Sequence, residues 1–315
     1  MNNTSQEIMA SRRSILKGLG AVALAPFLPS TSIGEAGHAF LKGGNSAHKV
    51  LTCNIRVALP EDDAKGLGWN TRREVCVQLI KDQQPDIIGF QEVLKEQAAY
   101  LQQQMPKYAL FGFDGPEMDA NPVGYHGIAK NPIMYLKSRY ALLAGGTYWL
   151  SETPLVAGSL SWNTARARHV NWVRLKDVKT GKEFRVVNLH LDHKSPEAKV
   201  QQAKLMATES SQYLPVFPQI LTGDFNSTMA SNVFDPVKAA GFVDSYATIH
   251  GGADPGVTAH GFEPVDSPDL NGKGKIDFIF CKGDCKPLTA GIIKDKPKDI
   301  FPSDHFFVSA EIALL

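Results

Sequence analysis

Carboxylate, amide and imidazole side chains follow several apolar runs of this sequence, and such side chains bind cations and transfer protons. Within residues 187–192, alternation along a strand puts His190 on the face opposite to the apolar residues. Asp224 and Asn226 share a face at the end of a later apolar run. Other polar residues in equivalent positions are Asn54, Glu92, Asp277, Asp304 and His305. If these strand ends meet, they predict a cluster that holds a metal ion and activates water.

The residue types in this polar set favour a hard cation. Each residue taken alone is typical of a turn or a cap, but six separate predicted strands end in such groups. Carboxylate and amide oxygens suit Mg²⁺, Mn²⁺ or Ca²⁺ rather than structural zinc, and the set contains no Cys. The sequence has no Gly-x-Ser-x-Gly motif, so direct attack by water is simpler than a serine nucleophile.

The elements that must position these residues are many short strands and few helices. Ser195, Pro196 and Glu197 predict the start of a helix that runs to about Tyr213. A capping box at Thr71 and Glu74 predicts another helix, which ends before Pro85, and a third spans 231–240. The predicted strands are 50–55, 86–92, 108–113, 133–135, 147–150, 169–175, 184–192, 220–226, 275–280 and 305–312. The large number of strands relative to helices favours a two-sheet α/β sandwich over a doubly wound sheet.

Composition and charge limit the class of protein. The chain has 315 residues, of which 43% are hydrophobic and 21% charged, which excludes a disordered chain, a collagen-like repeat and a small disulfide scaffold. The formal net charge is +1, so no overall basic field attracts nucleic acid. Nucleic acid therefore stays an open substrate class that the charge does not support.

The N-terminal segment resembles a twin-arginine export signal. Arg12 and Arg13 precede an uncharged stretch, residues 18–30, that is too short to span a membrane. We expect an export signal over residues 1–36, a linker over 37–47 and a single domain over 48–315. The expected location is periplasmic or extracellular. The alternative is a basic tail followed by an uncleaved membrane-surface anchor.

The four cysteines form no zinc-ribbon or thioredoxin-type pair. Cys53 and Cys76 lie in apolar patterns that are typical of core thiols. Cys281 and Cys285 flank a turn-like triplet, where a hairpin disulfide is one alternative and free thiols are the favoured one.

The order of these motifs resembles the endonuclease/exonuclease/phosphatase superfamily, which has the DNase I-like fold. The segments that carry the resemblance are Asn54, Glu92, 188–193, 222–227, 275–280 and 303–306. Residues 145–154 are similar to the bacterial, often secreted, branch. The resemblance implies an α/β fold, a four-layer αββα sandwich of two packed mixed β-sheets flanked by helices. Its site would lie in a cleft between the sheet edges.

The resemblance also implies a metal site and an acid–imidazole pair. Glu92, assisted by Asn54 and with Asp304 nearby, would ligate a divalent ion, Mg²⁺ or Mn²⁺. Asp277 and His305 would form the carboxylate–imidazole pair, in which the carboxylate sets the tautomer of the ring.

Further residues are assigned to water and substrate by the same resemblance. Asp224 would orient or deprotonate the attacking water, and Asn226 would help to hold that water and the phosphate. His190 would donate a hydrogen bond to a phosphoryl oxygen. Arg168 and His260 would contact the substrate from the walls of the cleft.

The expected function is metal-dependent hydrolysis of a phosphoester, most simply of a phosphodiester. The substrate is a nucleic acid, a lipid or a small phosphate ester, and the sequence leaves this choice and the oligomeric state open. The alternative is a non-catalytic binding domain on the same fold. No stable membrane span is expected in the exported chain.

Overall fold

The computed structural model describes residues 47–119 and 129–315, which belong to one compact unit. The predicted export signal and residues 37–46 of the predicted linker lie outside this part of the chain. None of the helices within the described ranges is both long enough and apolar enough to cross a membrane.

Twelve strands of the described chain form two six-stranded sheets. The strands of the first sheet are β1 (His48–Asn54), β2 (Ile87–Gln91), β3 (Tyr108–Phe111), β4 (Ile133–Leu136), β11 (Cys285–Ile293) and β12 (Phe307–Leu314). The strands of the second are β5 (Tyr140–Trp149), β6 (His169–Asp177), β7 (Glu183–His190), β8 (Gln219–Asp224), β9 (Val243–Asp244) and β10 (Asp277–Lys282). The spatial orders are β11-β12-β1-β2-β4-β3 and β5-β6-β7-β8-β10-β9. Both sheets are mixed, because β1 runs parallel to β2 and β7 parallel to β8 while the other neighbours are antiparallel.

Short helices connect the strands. The α-helices are α1 (Pro60–Asp63), α2 (Trp69–Asp82), α3 (Lys95–Gln104), α4 (Pro196–Ser210), α5 (Asp235–Ala239) and α6 (Ser245–His250). Single 3₁₀ turns span Pro116–Asp119, Asn232–Phe234, Pro268–Leu270 and Pro297–Asp299. The Ser195 hydroxyl accepts a hydrogen bond from the Ala198 amide at 3.1 Å, which confirms the predicted start of α4.

Three apolar clusters define four layers. The central cluster lies between the sheets and joins residues such as Val50 and Ile87 to Val186 and Ile220. A second cluster packs the outer face of the first sheet on α2 and α3, and a third packs the outer face of the second sheet on α4 and α5. Burial of these faces stabilises the sandwich by the transfer of apolar area from water. The predicted αββα sandwich is confirmed.

A buried polar layer crosses the space between the sheets just beneath the strand ends. The Gln91 amide donates to Asn188 Oδ1 at 2.7 Å, and the Thr222 hydroxyl donates to the same oxygen at 2.9 Å. Asn188 in turn donates to the Phe90 carbonyl at 2.7 Å. Gly89 leaves the room for this layer, since a Cβ there would lie 2.2 Å from Thr222 Oγ1. The layer fixes the two sheets relative to each other directly under the site.

Several elements differ from the sequence prediction. The helix α2 begins after Gly68 without a side-chain cap, so the capping box at Thr71 and Glu74 was wrong. The predicted helix over 231–240 is a 3₁₀ turn followed by the short α5. The strand β11 was not predicted, because Pro287 and a register shift interrupt its alternation at the sheet edge. Cys281 and Cys285 are buried free thiols, as favoured above.

Candidate active site

The predicted site residues lie at one end of the two sheets because of strand direction. The parallel pairs β1–β2 and β7–β8 bring their carboxyl ends there, with Asn54 and His190 as last residues. The antiparallel β10 begins at the same edge, so Asp277 pairs with Asp224, which pairs in turn with His190. His305 comes just before β12 and reaches this edge for the same reason.

Asp277 and His305 form the predicted carboxylate–imidazole pair. His305 Nδ1 lies 2.9 Å from Asp277 Oδ2, and the other oxygen, Asp277 Oδ1, has no hydrogen-bond partner among the residues that the structure describes. Burial alone would lower the pKa of His305, but Asp277, Asp304 and Asp224 together raise it well above the ordinary value of 6.5. The imidazole is therefore an imidazolium at neutral pH, held by a carboxylate on one side.

Asp224 is the centre of the cluster. Its Oδ2 accepts from the Asn54 amide at 2.9 Å and lies 3.3 Å from His190 Nε2 and 4.0 Å from His305 Nε2. Its Oδ1 accepts from the backbone amide of Asn226 at 2.8 Å. Burial and the nearby Asp277 charge raise the pKa of Asp224 to about 7. A carboxylate with this pKa can accept a proton at neutral pH.

His190 and Asn226 close one side of the cluster. His190 Nε2 lies 2.9 Å from the Asn226 side-chain nitrogen, which also donates to the Leu191 carbonyl at 3.1 Å. Asn226 has φ of 47°, the left-handed region that Asn tolerates better than most residues, and this turns its side chain back over β7. Burial, Arg168 and His305 lower the pKa of His190 well below 6.5, so its ring is neutral.

Asn54, Glu92 and Asp304 gather on the other side of Asp224. The Asn54 amide lies 3.3 Å from Glu92 Oε1, and Glu92 Oε2 accepts from the Val57 amide at 3.0 Å. Burial raises the pKa of Asp304, and the neighbouring Glu92 charge adds to this effect. The Glu92 and Asp304 carboxylates repel each other and fit a hard divalent cation, which would relieve the repulsion. One ligand atom from each of Asp224, Asp277 and His305 also lies within 4.8 Å of the others.

Arg56 is a site residue that the sequence reasoning missed. It follows Asn54 after one residue, and its guanidinium lies 3.3 Å from Asp304 Oδ2 and 2.8 Å from Asp62 Oδ2. Its backbone φ is 56°, so the chain turns sharply after β1. The available signal was a charged residue two positions after a polar strand end.

Arg168 lies beside the cluster as a buried cation. It is 6% exposed, and its Nη2 lies 3.4 Å from His193 Nδ1. Within the described ranges, its Nε has no hydrogen-bond partner and no carboxylate lies at salt-bridge distance. An uncompensated buried guanidinium attracts anions. His193 was not among the predicted site residues, although it belongs to the same polar run as His190.

His260 lies near the cluster but among aromatic rings. It is 1% exposed, with its ring 4.1 Å from that of Phe306 and 4.5 Å from that of Phe301. Its backbone amide donates to the Asp304 carbonyl at 2.9 Å. Burial and the His305 charge lower the pKa of His260 to about 4. Direct contact of this ring with substrate stays a prediction, whereas its loop holds the Asp304 backbone.

The comparisons with known proteins agree with this architecture. The sequence profile of the Endonuclease/Exonuclease/phosphatase family matches residues 51–305. A structure of a Bacteroides vulgatus endonuclease/exonuclease/phosphatase is 31% identical, with a TM-score of 0.75 over 86% of this chain and 100% of that one. A mannosyl-6-phosphatase of Bacteroides thetaiotaomicron is 29% identical, with a TM-score of 0.74 over 84% of this chain and 99% of that one.

A curated relative is more distant. An uncharacterized protein of Acanthamoeba polyphaga mimivirus is 26% identical over 202 residues, which are 62% of this chain and 72% of that protein. The profile match covers most of the chain and includes every strand end that contributes to the cluster. The chain therefore belongs to the endonuclease/exonuclease/phosphatase family of phosphoester hydrolases.

Proposed function

We propose that this protein hydrolyses a phosphoester by attack of water with the help of a divalent ion, Mg²⁺ or Mn²⁺. The observation that supports this most is the position of Asp224. It lies between the Asp277–His305 pair and the oxygen donors around Asn54, with contacts of 2.9–4.0 Å. A base, an acid and a cation site therefore meet around one carboxylate.

Asn54, Glu92 and Asp304 would hold the ion. Neutralisation of phosphoryl charge and stabilisation of the leaving oxygen are the chemistry that a divalent ion supplies at such a site. The chain's own residues then perform the proton transfers and the positioning.

Asp224 accepts the proton of the attacking water, because its raised pKa of about 7 matches the operating pH of a general base. The Asn226 amide, next to the same carboxylate, orients the water and one phosphoryl oxygen. His305, an imidazolium held by Asp277, donates a hydrogen bond to the phosphoryl group as negative charge develops. Arg168 supplies a second positive charge, which has no carboxylate partner in the described chain.

A phosphodiester is the substrate we propose first, of a lipid or small-molecule type as readily as nucleic acid, because the chain carries almost no net charge. A sugar phosphomonoester is a second candidate. It is favoured by the 29% identical mannosyl-6-phosphatase, whose whole chain is matched almost completely.

The test is hydrolysis of bis(p-nitrophenyl) phosphate, p-nitrophenyl phosphate and mannose 6-phosphate with Mg²⁺, Mn²⁺ or a chelator. The variants are Asp224→Asn and His305→Ala, with the exposed His250→Ala as the matched control. We expect metal-dependent turnover that both site variants lose and the control keeps. Preference for the diester supports the first candidate, and preference for mannose 6-phosphate supports the second.

The alternative of a non-catalytic binding domain has its own outcome in this assay. Absence of both metal binding and turnover on these esters would favour it over hydrolysis, whereas metal binding without turnover would indicate a natural substrate outside this set. Unchanged turnover in Asp224→Asn would instead remove Asp224 as the base and leave the hydrolase proposal in place.

We further propose that the protein is exported, on the basis of the paired arginines at Arg12 and Arg13. Cell fractionation of the parent and of a double Lys variant tests this. We expect the parent outside the cytoplasm and the variant inside it.

A further inference from the structure

A second arginine, Arg72 on α2, lies beneath the candidate metal site. Its side chain has no exposed surface, and in the described part of the chain no carboxylate forms a salt bridge with it. A guanidinium stays charged in proteins, so its burial requires compensating acceptors. The hydrogen-bond acceptors of Arg72 therefore decide how its buried charge is compensated.

Within the described residues, the hydrogen-bond acceptors of Arg72 are all backbone carbonyls. Its Nη1 donates to the Ile55 carbonyl at 2.9 Å and to the Pro302 carbonyl at 2.8 Å. Its Nε donates to the Leu67 carbonyl at 2.6 Å, and its Nη2 donates to the Arg56 carbonyl at 3.3 Å. One rigid planar group therefore joins three separate segments of backbone.

Two of these segments carry the proposed metal ligands. The Ile55 carbonyl follows Asn54 directly, and Pro302 comes two residues before Asp304. These segments are more than 200 residues apart in the chain, since Asn54 and Ser303 are separated by 249 residues; one follows β1 and the other precedes β12. The Ser303 hydroxyl adds a second link, because it donates to the Asn54 carbonyl at 2.7 Å.

The segment after Asn54 is a strained turn that orients both ligands on its side. Arg56 has φ of 56°, a left-handed conformation that a residue with a Cβ adopts only when its surroundings hold it there. The amide of Arg56 donates to Asn54 Oδ1 at 3.1 Å, and the amide of Val57 donates to Glu92 Oε2 at 3.0 Å. Arg72 donates to the carbonyl of the preceding residue, Ile55, and to the carbonyl of Arg56 itself.

We propose that Arg72 is a positioning residue that sets the separation of the Asn54–Glu92 side from the Asp304 side of the metal site, and so sets the affinity for the ion. It contacts no ligand side chain and acts through the backbone of both segments. The inference rests on the proposed function, because it requires the ion at Asn54, Glu92 and Asp304.

The test compares Mn²⁺ binding by the full chain and by its Arg72→Lys and Arg72→Gln variants. Lys keeps the positive charge but lacks the planar guanidinium group, and Gln keeps a hydrogen-bond donor but lacks the charge. The matched control is Arg185→Lys. Arg185, in the other sheet, is equally buried, but it binds the Glu209 carboxylate at 2.7 and 2.8 Å. Free Mn²⁺ is measured by electron paramagnetic resonance, and the Tm of each variant is recorded in parallel.

We expect Mn²⁺ affinity to fall roughly 10- to 100-fold in both Arg72 variants, the usual range for loss of a group that orients metal ligands. Turnover should recover at saturating Mn²⁺. The Arg185 variant should have a lower Tm and the parent affinity. If Arg72 only stabilised the fold, its variants should instead behave like the Arg185 variant, with a lower Tm and an unchanged affinity for Mn²⁺.

The inference would be overturned if both Arg72 variants fold and bind Mn²⁺ with the same affinity as the parent. Weakening in the Gln variant alone would also overturn it, because charge rather than spacing would then determine the affinity. Failure of both variants to fold would overturn it as well, since Arg72 would be required for the fold itself. Absence of Mn²⁺ binding by the parent would instead overturn the proposed metal site and, with it, this inference.

Discussion

Replacement of Asp277 by Asn removes a charge from the site with little change of shape. Asp277 is 1% exposed, and its Oδ2 faces His305 Nδ1 at 2.9 Å, while its Oδ1 has no hydrogen-bond partner in the described part of the chain. In Asp277→Asn, the amide oxygen still accepts from Nδ1–H, and the NH₂ group takes the position of the unpartnered oxygen. The variant therefore isolates the effect of the carboxylate charge on His305.

The magnitude follows from the short distance. Two unit charges about 4 Å apart interact by about 4 kcal/mol at an effective dielectric constant of 20. Loss of this attraction disfavours the imidazolium, so the pKa of His305 falls. In the parent, the raised pKa of His305 contributes stability that is complete below pH 6.5 and is lost as the pH rises through the folded-state pKa. In the variant, this contribution becomes smaller, because only the Asp304 and Asp224 charges still raise the pKa of His305.

The assay is a nuclear magnetic resonance titration of ¹⁵N-labelled histidine, together with the pH dependence of kcat/KM. We expect the His305 signal to titrate at a lower pH in the variant than in the parent. We expect kcat/KM at pH 7 to fall by about 10²- to 10⁴-fold, with the remaining activity shifted toward acid. The exposed Asp254→Asn is the control and should match the parent. An unchanged His305 titration would refute the electrostatic reasoning, and unchanged activity would refute the role of the pair.

Three further outcomes are expected. Gly89→Ala should lower the free energy of unfolding by about 1–3 kcal/mol, because the new Cβ would lie 2.2 Å from Thr222 Oγ1. The measurement is urea unfolding, and a stability equal to that of the parent would show that the polar layer adapts. Arg168→Lys should raise KM about tenfold with a smaller effect on kcat, because Lys lacks the planar guanidinium group. An unchanged KM in steady-state kinetics would contradict phosphate binding by Arg168. Burial, with Arg168 and Lys130, lowers the pKa of His169 to about 3, so stability should fall by up to roughly 5 kcal/mol as the pH drops from 6.5 toward 3. His169→Phe should remove most of this loss in urea titrations at pH 5 and pH 8, and an identical pH slope would refute its assignment to His169.

The faces of the central strands could be predicted from the sequence. In β1, Leu51 and Cys53 pack outward on α2, whereas Asn54 points inward, as alternation requires. In β7, Leu189 packs on the helices and Asn188 lies between the sheets. Period-2 alternation is local and survives in any packing of these strands, so it is readable from residue order alone.

The edges and the short helices were less predictable. The helix α3 buries little besides Ala98 and Leu101 and lacks a polar cap residue, so its pattern is weak. The strand β11 contains Pro287 at an edge, where the loss of a backbone donor is tolerated. Such elements exist because neighbouring strands or loops accept them, and this depends on tertiary packing.

The types of the site residues and the strand ends that carry them were determined by the sequence, because side-chain chemistry and alternation are properties of local order. Their mutual distances were decided by the packing of the two sheets. Asn54 and Asp224 are separated by 170 residues and lie 2.9 Å apart only because the polar layer beneath them fixes the sheet-to-sheet register. The tertiary structure also decided the role of Arg72, which in the sequence looks like any other arginine of a helix. Its role depends on carbonyls that meet around it only in the folded chain, since contacts between distant segments leave no local pattern in the sequence.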